Sequence, residues 1–390
     1  MNPRKHFADG QRLYDAGDYA GADRVLAEVE ATLRGTPAVQ PVLRARGLVR
    51  LRLDDPAQAL RHYEEALHLV PDDSEIHYRL ALYYLARGDY LRGFAEYEWR
   101  LRRPEGAPLA EAFAALPSWN GEPMVGQPLL IHAEQGLGDA LQFARFLPLA
   151  AARSGAEPLY LAVHTPLISL LAASFPAITV LERGAALPPG VRQCPLLSLP
   201  QRLGVTLETL PARIPYLIVP EPIPPSAPAF PDRLKIGIVW RSKDAQGSGR
   251  ERSASLEAFR LLLDGSPPIE WISLQKDLTS DERVFLVEHR IGDAGSRCDD
   301  FLAAARIVQG LDLVISVDTA MIHLAGALGK PVWGLVPKWS DWRWLLGRTE
   351  SPWYPTARLF RQDREGDWSG PLAAIREQLR DKLFHGKTLT

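Results

Sequence analysis

The chain has few cysteines, no long apolar run and no excess of charge of either sign. Its two cysteines, Cys194 and Cys298, lie far apart with no CxxC pair or Cys/His cluster around them. This excludes a disulfide framework and a cysteine-type zinc site, and we expect two buried thiols. The 45 basic and 47 acidic residues give a net charge of −2. Such a balance argues against binding to nucleic acid or to a charged membrane surface.

Segments that would target the chain to a membrane are also lacking. No run of about 18 apolar residues is present, and the sequence that begins at Met1 has no apolar signal core. The sequence therefore predicts a soluble, cytoplasmic protein without a membrane span. A length of 390 residues is sufficient for two or three domains with sizeable cores.

An internal repeat occupies the N-terminal part of the chain. Gly17-Asp18-Tyr19 and Gly88-Asp89-Tyr90 each separate two helical patterns, and Asp54-Asp55-Pro56 has the matching position between them. The spacing is close to the tetratricopeptide period of about 34 residues. The small and aromatic positions of that repeat fall on Gly47, Ala59, Tyr63, Ala66, Pro71, Leu80, Ala81 and Tyr84. The sequence therefore resembles a tetratricopeptide array of about three units, predicted over residues 1–104.

Two roles for these repeats remain open. Each unit buries its apolar face only against a neighbour, so the units stack and present a concave face to a peptide. The same stack can instead support the following domain or mediate self-association as a homo-oligomer.

A series of alternating strands and helices follows the repeats and predicts a first parallel-sheet domain over residues 105–220. A glycine-rich turn at Gly136–Asp139 is followed by a predicted amphipathic helix, Ala140–Arg153. The predicted strands are Leu129–Ala133, Leu159–Val163, Ile178–Leu181 and Pro195–Leu199.

A proline-rich segment separates this series from a second one. Pro220–Pro231 contains six prolines in twelve residues, which excludes a helix or a central strand and predicts a stiff linker. The elements predicted beyond it are strands Ile236–Trp240, Trp271–Leu274 and Ile291–Asp293 and helices Leu256–Leu263, Phe301–Gln309 and Pro371–Leu383. They define a second parallel-sheet domain over residues 221–390. Two such domains predict a cleft at the carboxyl ends of their strands.

The most informative segment, Leu313–Val336, has the pattern of buried strand, polar turn, helix and second buried strand. Asp318 and Thr319 have the position of a helix N-cap, where free backbone N–H groups and the helix dipole suit a pyrophosphate. His323 lies four residues beyond Thr319 on the same helix face. Gly326 allows close packing. An ordinary cap and a structural histidine are the alternative interpretation.

The glycine-rich turn after the first strand provides a second candidate motif. Gly136 and Gly138 let the backbone approach a ligand closely. Asp139 is either a plain helix cap or a general base that acts on an acceptor hydroxyl. The turn lacks the third glycine of the dinucleotide fingerprint, and no Walker lysine-serine pair is present, so a nicotinamide site is weakly supported and a triphosphatase is excluded.

Cations follow the first strand of the second series. Trp240, Arg241 and Lys243 lie at its end, and the Arg250–Ser253 segment is predicted to open the next helix. These cations are suited to neutralising a departing diphosphate in place of a metal ion, and a solvated loop is the alternative. Gln275, at the end of the next strand, is a candidate contact for a base or ribose.

Three motifs together resemble a known family. Gly136–Asp139, Ser316–Gly326 and Gly329–Val332 are similar to the lipopolysaccharide heptosyltransferase family, which has the two-domain glycosyltransferase B fold. The resemblance covers about residues 117–385. With tetratricopeptide units in front, the architecture is also similar to that of protein O-GlcNAc transferases, which are inverting and metal-independent.

The resemblance implies roles for individual residues. Asp318, Thr319 and Ala320 would hold the donor diphosphate and sugar, with His323 beside the phosphates. The complete predicted site is Asp139, His323 and Lys243 for catalysis, Trp240, Arg241, Gln275, Asp318, Thr319, Ala320 and Gly326 for donor binding, and Gly136, Gly138, Arg252 and Ser253 for phosphate or loop contacts. Heptosyltransferases commonly have glycine where this chain has Ala320, and a histidine that often follows the turn is lacking. Heptose is therefore not assigned as the transferred sugar.

The sequence thus predicts an α/β protein of tetratricopeptide helices followed by two Rossmann-like domains in the glycosyltransferase B arrangement. Its predicted activity is sugar transfer from a nucleotide-diphosphate donor to a hydroxyl or amide of a polypeptide held by the repeats, without cofactor or metal. A non-catalytic scaffold with a degenerate transferase domain is the main alternative. A sugar epimerase of the same fold is disfavoured because the repeats would then have no evident purpose.

Overall fold

The fold is described from a computed structural model, over residues 2–104, 113, 115–220, 233–243, 249–263 and 269–385. The chain divides into two compact units. One comprises Met1–Tyr84 and Arg92–Ala110, and the other comprises Leu85–Leu91 and Glu111–Thr390. In the described ranges, no helix has the length and apolar character needed to cross a membrane.

Six helices form the repeat region. They are α1 (Pro3–Asp15), α2 (Tyr19–Leu33), α3 (Gln40–Arg52), α4 (Pro56–Leu69), α5 (Ser74–Ala86) and α6 (Tyr90–Tyr97). The repeated Gly-Asp-Tyr marker has a physical cause, because Gly17 and Gly88 both adopt a left-handed φ of +80° between helices. Asp18 then caps α2 by accepting a hydrogen bond of 2.8 Å from the Gly21 N–H. Each marker therefore ends one helix and starts the next.

The predicted repeat positions form the core of this unit. Tyr63, Ala66, Ile76 and Leu80 pack in one buried cluster that joins α3, α4 and α5. Gly47 lies directly against the Tyr63 ring and leaves no room for a side chain. The small residue of the repeat is thus required for close packing of α3 on α4, as the sequence pattern predicts.

The first sheet of the second unit is parallel throughout, with strand order β3-β2-β1-β4. Its strands are β1 (Leu129–His132), β2 (Leu159–Val163), β3 (Thr179–Glu182) and β4 (Arg192–Pro195). Its helices are α7 (Leu137–Phe143), α8 (Leu147–Ser154), α9 (Ile168–Ser174) and α10 (Leu199–Leu203). The central strand β1 is fully buried, as expected for a sheet covered on both faces.

The second sheet has six parallel strands in the order β10-β9-β8-β5-β6-β7. Its strands are β5 (Leu234–Val239), β6 (Ile269–Ser273), β7 (Gly292–Asp293), β8 (Leu313–Val317), β9 (Val332–Val336) and β10 (Ala357–Arg361). Its helices are α11 (Leu256–Leu263), α12 (Ser280–Glu288), α13 (Phe301–Gln309), α14 (Ala320–Ala327) and α15 (Ser369–His385). The chain moves outward from β5 in one direction and from β8 in the other, which is the doubly wound order. The topological switch point therefore lies between β5 and β8.

The architecture confirms the predicted fold class of helical repeats followed by parallel α/β sheets. The boundaries at residues 104 and 220 stay predictions. Most of the proline-rich segment, residues 221–231, lies outside the described residues. Both cysteines are buried free thiols, as expected.

Two predicted elements of the first sheet are wrong. Pro195–Leu199 is not a strand, because the strand ends at Pro195 and a 3-10 turn leads into α10. A short, fully buried apolar run does not distinguish strand from helix by periodicity. The single helix predicted over Ala140–Arg153 is two helices, α7 and α8, because Pro148 cannot continue a helix from the preceding turn.

Other differences concern the second sheet. Strand β10, which pairs with β9 at the edge of the sheet, was not predicted from the sequence. The Arg250–Ser253 segment precedes α11 instead of opening it, because the helix begins at Leu256. The C-terminal helix α15 packs on α11 and contributes Leu372, Ile375 and Leu379 to the core of this sheet.

Candidate active site

The candidate site lies where the carboxyl edges of the two sheets meet. The loop after β1 leads into α7, and the loop after β8 leads into α14. A Cβ atom added at Gly138 would lie 2.9 Å from His323 Cδ2 and 3.2 Å from Ala320 Cα. A side chain at Gly138 would therefore separate the two helices. The structure thus brings together two predicted motifs that are far apart in the sequence.

Asp139 is held from both sheets. It is the third residue of α7, not its N-cap, and its Oδ2 accepts a hydrogen bond of 2.9 Å from the Gly136 N–H. Its Oδ1 is ion-paired with Arg343, whose side chain is 7% exposed. The hydrogen bond and the ion pair together fix the orientation of the Asp139 carboxylate.

Arg343 is the main site residue that the sequence analysis missed. It lies in a 3-10 turn, Trp342–Trp344, after β9. Besides Asp139, its guanidinium donates to Gln142 Oε1 at 2.6 Å and to Asp341 Oδ1 at 2.9 Å. The only signal for it in the sequence is an arginine between two tryptophans, which is equally typical of a core. Trp342 and Trp344 are 3% and 0% exposed.

The start of α14 has the properties expected of an anion site. Thr319 is the N-cap, and its Oγ1 accepts a hydrogen bond of 3.3 Å from the Met321 N–H. Among the described residues, the Ala320 N–H has no hydrogen-bond partner. Gly326, predicted to contact the donor, packs against the ring of Tyr354, and a Cβ there would lie 2.5 Å from that ring. Gly329, at φ +74°, follows the end of the helix in a left-handed conformation.

His323 is buried at this helix start, with 5% of its surface exposed. Its Nδ1 lies 2.9 Å from the Tyr354 hydroxyl, and its ring stacks on Trp344 with centroids 5.6 Å apart. Burial holds the pKa of His323 well below its usual value, and the charges of Arg343, Arg145 and Arg252 lower it further. The imidazole is therefore neutral at physiological pH.

Asp318 is a buried carboxyl group, 7% exposed, at the end of β8. Burial raises its pKa above the usual range, and the negative charge of Asp341 raises it further. Trp344, Arg252 and Arg343 act in the opposite direction. Ionised Asp318 is thus unfavourable in the folded protein relative to the unfolded chain.

We expect Asp318→Asn to stabilise the protein at high pH. Because the pKa of Asp318 is raised in the folded state, the protonated carboxyl group is the form that favours folding. This contribution to stability is fully present below the unfolded pKa of about 4 and is lost as pH rises through the folded pKa. The variant should therefore raise Tm at pH 8 by several degrees and change it little at pH 4. Thermal unfolding at both pH values, with the exposed Glu377→Gln as control, would test this. An equal shift at both pH values would contradict the assignment.

Trp240 and Arg241 are engaged in a separate network. Arg241 donates to both carboxylate oxygens of Glu282, at 2.7 and 2.8 Å, and Trp240 Nε1 donates to Glu282 at 2.7 Å. Burial would raise the pKa of Glu282, but hydrogen bonds from Arg241, the Thr279 N–H and Trp240 outweigh it and bring the pKa to about 2. Gln275 Oε1 accepts from the Arg241 N–H at 3.3 Å. These predicted donor contacts thus hold the β5 and β6 ends together.

The predicted phosphate cations differ in their surroundings. Arg252 has no hydrogen bond or ion pair to any residue that the structure describes, and its charge acts on both Asp318 and His323. Lys243 is exposed and is not among the charges that shift those two pKa values. Ser253 orders the loop before α11, because its hydroxyl accepts from the Ser242 N–H at 3.0 Å. Of these two cations, Arg252 is therefore the one whose charge acts on the side chains at the helix start.

Comparison with protein families agrees with this geometry. Residues 40–83 match a tetratricopeptide repeat model, and residues 300–364 match the model described as glycosyltransferase family 9 (heptosyltransferase). The chain combines tetratricopeptide repeats with a glycosyltransferase family 9 domain. The second match runs from α13 to β10 and includes the α14 motif, but it does not reach the turn that carries Asp139. The enzyme is a glycosyltransferase, as the sequence predicts.

Individual proteins are similar to this transferase over about two thirds of its length or more. Protein FlbA of Caulobacter vibrioides is 26% identical over 423 aligned residues, which cover 90% of this chain and 69% of FlbA. The glycosyl transferase family 9 structure from Veillonella parvula has a TM-score of 0.49 at 11% identity and covers 67% of this chain and 97% of its own. For the Escherichia coli heptosyltransferase WaaC with ADP-2-deoxy-2-fluoro heptose, the TM-score is 0.43 at 12% identity, with coverage of 66% and 100%.

Proposed function

We propose that this transferase moves a sugar from a nucleotide-diphosphate donor to a hydroxyl or amide of a polypeptide, with inversion and without a metal ion. The observation that carries the proposal is the contact between Gly138 and the start of α14. It brings the Asp139 carboxylate to the same edge as the start of α14, where the charge of Arg252, which has no partner among the described residues, also acts. A base and an anion site on facing elements are what an in-line displacement requires.

The donor diphosphate is proposed to bind at the start of α14. The free Ala320 N–H and the helix dipole favour an anion there, and Thr319 orders the first turn. Arg252 supplies positive charge that no described side chain neutralises. Arg252 neutralises the charge of the departing diphosphate, as a metal ion does in other enzymes. Lys243 provides a further contact to the diphosphate. Asp318 is proposed to bind the sugar or ribose of the donor.

Asp139 is proposed to be the general base. It takes the proton of the acceptor hydroxyl while the acceptor oxygen bonds to the anomeric carbon and the bond from that carbon to the diphosphate oxygen breaks. Arg343 and Gly136 each use one lone pair of its carboxylate, and further lone pairs remain for the acceptor. The diphosphate leaves with its negative charge matched by the α14 N–H group and Arg252.

The repeats are proposed to hold the acceptor polypeptide. They contain a groove of about 770 Å³, lined largely from α1, α3 and α5. Its lining combines apolar residues such as Phe7 and Leu48 with the charged residues Arg44, Glu75 and Arg79. Mixed lining of this kind suits an extended peptide, which presents both backbone polar groups and side chains.

Calorimetric titration with UDP-, ADP- and GDP-sugars tests the donor assignment most directly. We expect one nucleotide series to bind at micromolar to millimolar Kd, and the bound series identifies the base. Transfer to protein acceptors is then followed by mass spectrometry with that donor. Binding of none of the three would favour a non-catalytic scaffold.

If the repeats hold the acceptor, we expect Leu48→Glu to raise KM for a protein acceptor about 10-fold and to leave kcat unchanged. The substitution puts a charge into the apolar part of the groove, where the acceptor would bind. Leu69→Glu is the matched control, since Leu69 is 46% exposed and does not line the groove. Steady-state transfer measures both. Equal KM values for the two variants would exclude the groove as the acceptor site.

A further inference from the structure

The two ring nitrogens of His323 have different environments. Nδ1 lies 2.9 Å from the hydroxyl of Tyr354, on the buried side of the ring. Nε2 has no hydrogen-bond partner in the described part of the chain and is not sealed from solvent. The adjacent Cδ2 faces Gly138 at the edge where the two sheets meet. The free nitrogen therefore faces the candidate site.

The surroundings of Tyr354 decide which partner donates in this hydrogen bond. Tyr354 is fully buried, and burial raises the pKa of its hydroxyl well above the usual value, so the phenol keeps its proton. Tyr216, beside it, donates its own proton to the Leu141 carbonyl at 2.9 Å and accepts from Arg145 at 3.2 Å. Arg145 has only donors. Nδ1 of the neutral imidazole, 2.9 Å away, accepts the Tyr354 proton in preference to the neighbouring Tyr216 oxygen, which already accepts from Arg145.

We propose that Tyr354 is a positioning residue that fixes His323 as the Nε2–H tautomer, so that a neutral imidazole donates a hydrogen bond to an oxygen of the donor diphosphate. This inference rests on the donor site proposed above and adds to it a residue and the direction of a hydrogen bond. Which nitrogen of a histidine is protonated is set by the hydrogen bond that the other nitrogen makes. The opposite tautomer would present a lone pair to an anionic oxygen.

A histidine held in this tautomer binds an anion without being charged. The charges of Arg343, Arg145 and Arg252 all act on the ring, and Trp344 stacks on one of its faces. A protonated imidazole would add a fourth positive charge to this buried cluster. A fixed neutral donor instead supplies one directed hydrogen bond and needs no reorganisation when the ligand binds.

Nitrogen-15 NMR of the imidazole in the unliganded protein tests the tautomer without any activity assay. We expect the wild-type protein to show a protonated Nε2 and a bare Nδ1 for His323. Tyr354→Phe retains the ring on which Gly326 packs and removes only the hydroxyl. It should give a mixture of tautomers, with the native fold verified by circular dichroism and Tm.

Titration with inorganic pyrophosphate tests the consequence for anion binding. Tyr354→Phe should weaken binding about 10-fold, the value of a hydrogen bond to a charged group. In a His323→Gln background, the same substitution should cost nothing further, because a glutamine amide donates without a tautomer to be fixed. A merely structural role of Tyr354 would give the same loss in both backgrounds.

Three results would overturn the inference. They are a protonated Nδ1 in the wild-type spectrum, an unchanged tautomer in Tyr354→Phe, and equal losses in the two backgrounds. A wild-type protein that binds no pyrophosphate would remove the donor site itself, and with it the anion-binding part of this inference. The spectrum would still report whether Tyr354 donates to Nδ1, so the two failures are distinguishable.

Discussion

Replacement of Asp139 by asparagine should lower kcat for sugar transfer about 10²–10⁴-fold and leave the Kd for the donor nucleotide nearly unchanged. The range is that of a lost general base. Asparagine has nearly the same shape and can still accept from the Gly136 N–H, but it cannot take a proton from the acceptor. Single-turnover transfer with saturating donor, together with calorimetry of donor binding, separates the chemical step from binding.

Asp341→Asn is the matched control for this experiment. Asp341 also pairs with Arg343, at 2.9 Å, so its replacement removes one negative charge from the same guanidinium. We expect this variant to keep most of the turnover. Full turnover by Asp139→Asn, or equal losses in both variants, would assign the base elsewhere.

Arg252→Ala should lower kcat/KM for the donor about 100-fold, the second large effect we expect. The guanidinium has no partner among the described residues and acts electrostatically on Asp318 and His323, so its charge is available to a diphosphate. A cation at a poorly solvated phosphate contributes about 2–4 kcal/mol, most of it as charge develops on the leaving group. Arg252→Lys should recover part of the loss, because lysine restores the charge but not the bidentate geometry.

Lys243→Ala provides the comparison within the same chain. The family resemblance implies that Lys243 contacts the leaving phosphate, whereas in the structure it is the charge of Arg252 that acts on Asp318 and His323. We expect Lys243→Ala to reduce kcat/KM less than 10-fold. A larger loss for Lys243→Ala than for Arg252→Ala would restore the original assignment.

Local features of this protein were predictable because their causes are local. The Gly-Asp-Tyr markers combine a left-handed glycine with a helix cap, and both act within a few residues. The buried strand at β8, the Thr319 cap and the Gly329 stop follow from the same short-range rules. The Pro195–Leu199 error arose where short-range rules are ambiguous, since an apolar run fits a strand or a helix.

Contacts between distant parts of the chain were not predictable in the same way. Arg343 reaches Asp139 from the other sheet, and Tyr354 reaches His323 from a loop after β9. Neither residue lies within a few positions of its partner, and one sequence contains no signal for such pairings. Arginine and tyrosine among tryptophans are equally compatible with an ordinary core.

The sequence by itself determined the helical repeats, the two parallel sheets and the capped start of α14, because periodicity, capping and turn chemistry act over one or two turns of chain. Only the tertiary structure decided which charges surround that helix start, which nitrogen of His323 is free and which side chain holds Asp139. Those properties depend on burial and on distances between side chains, and both exist only after the two sheets have packed together.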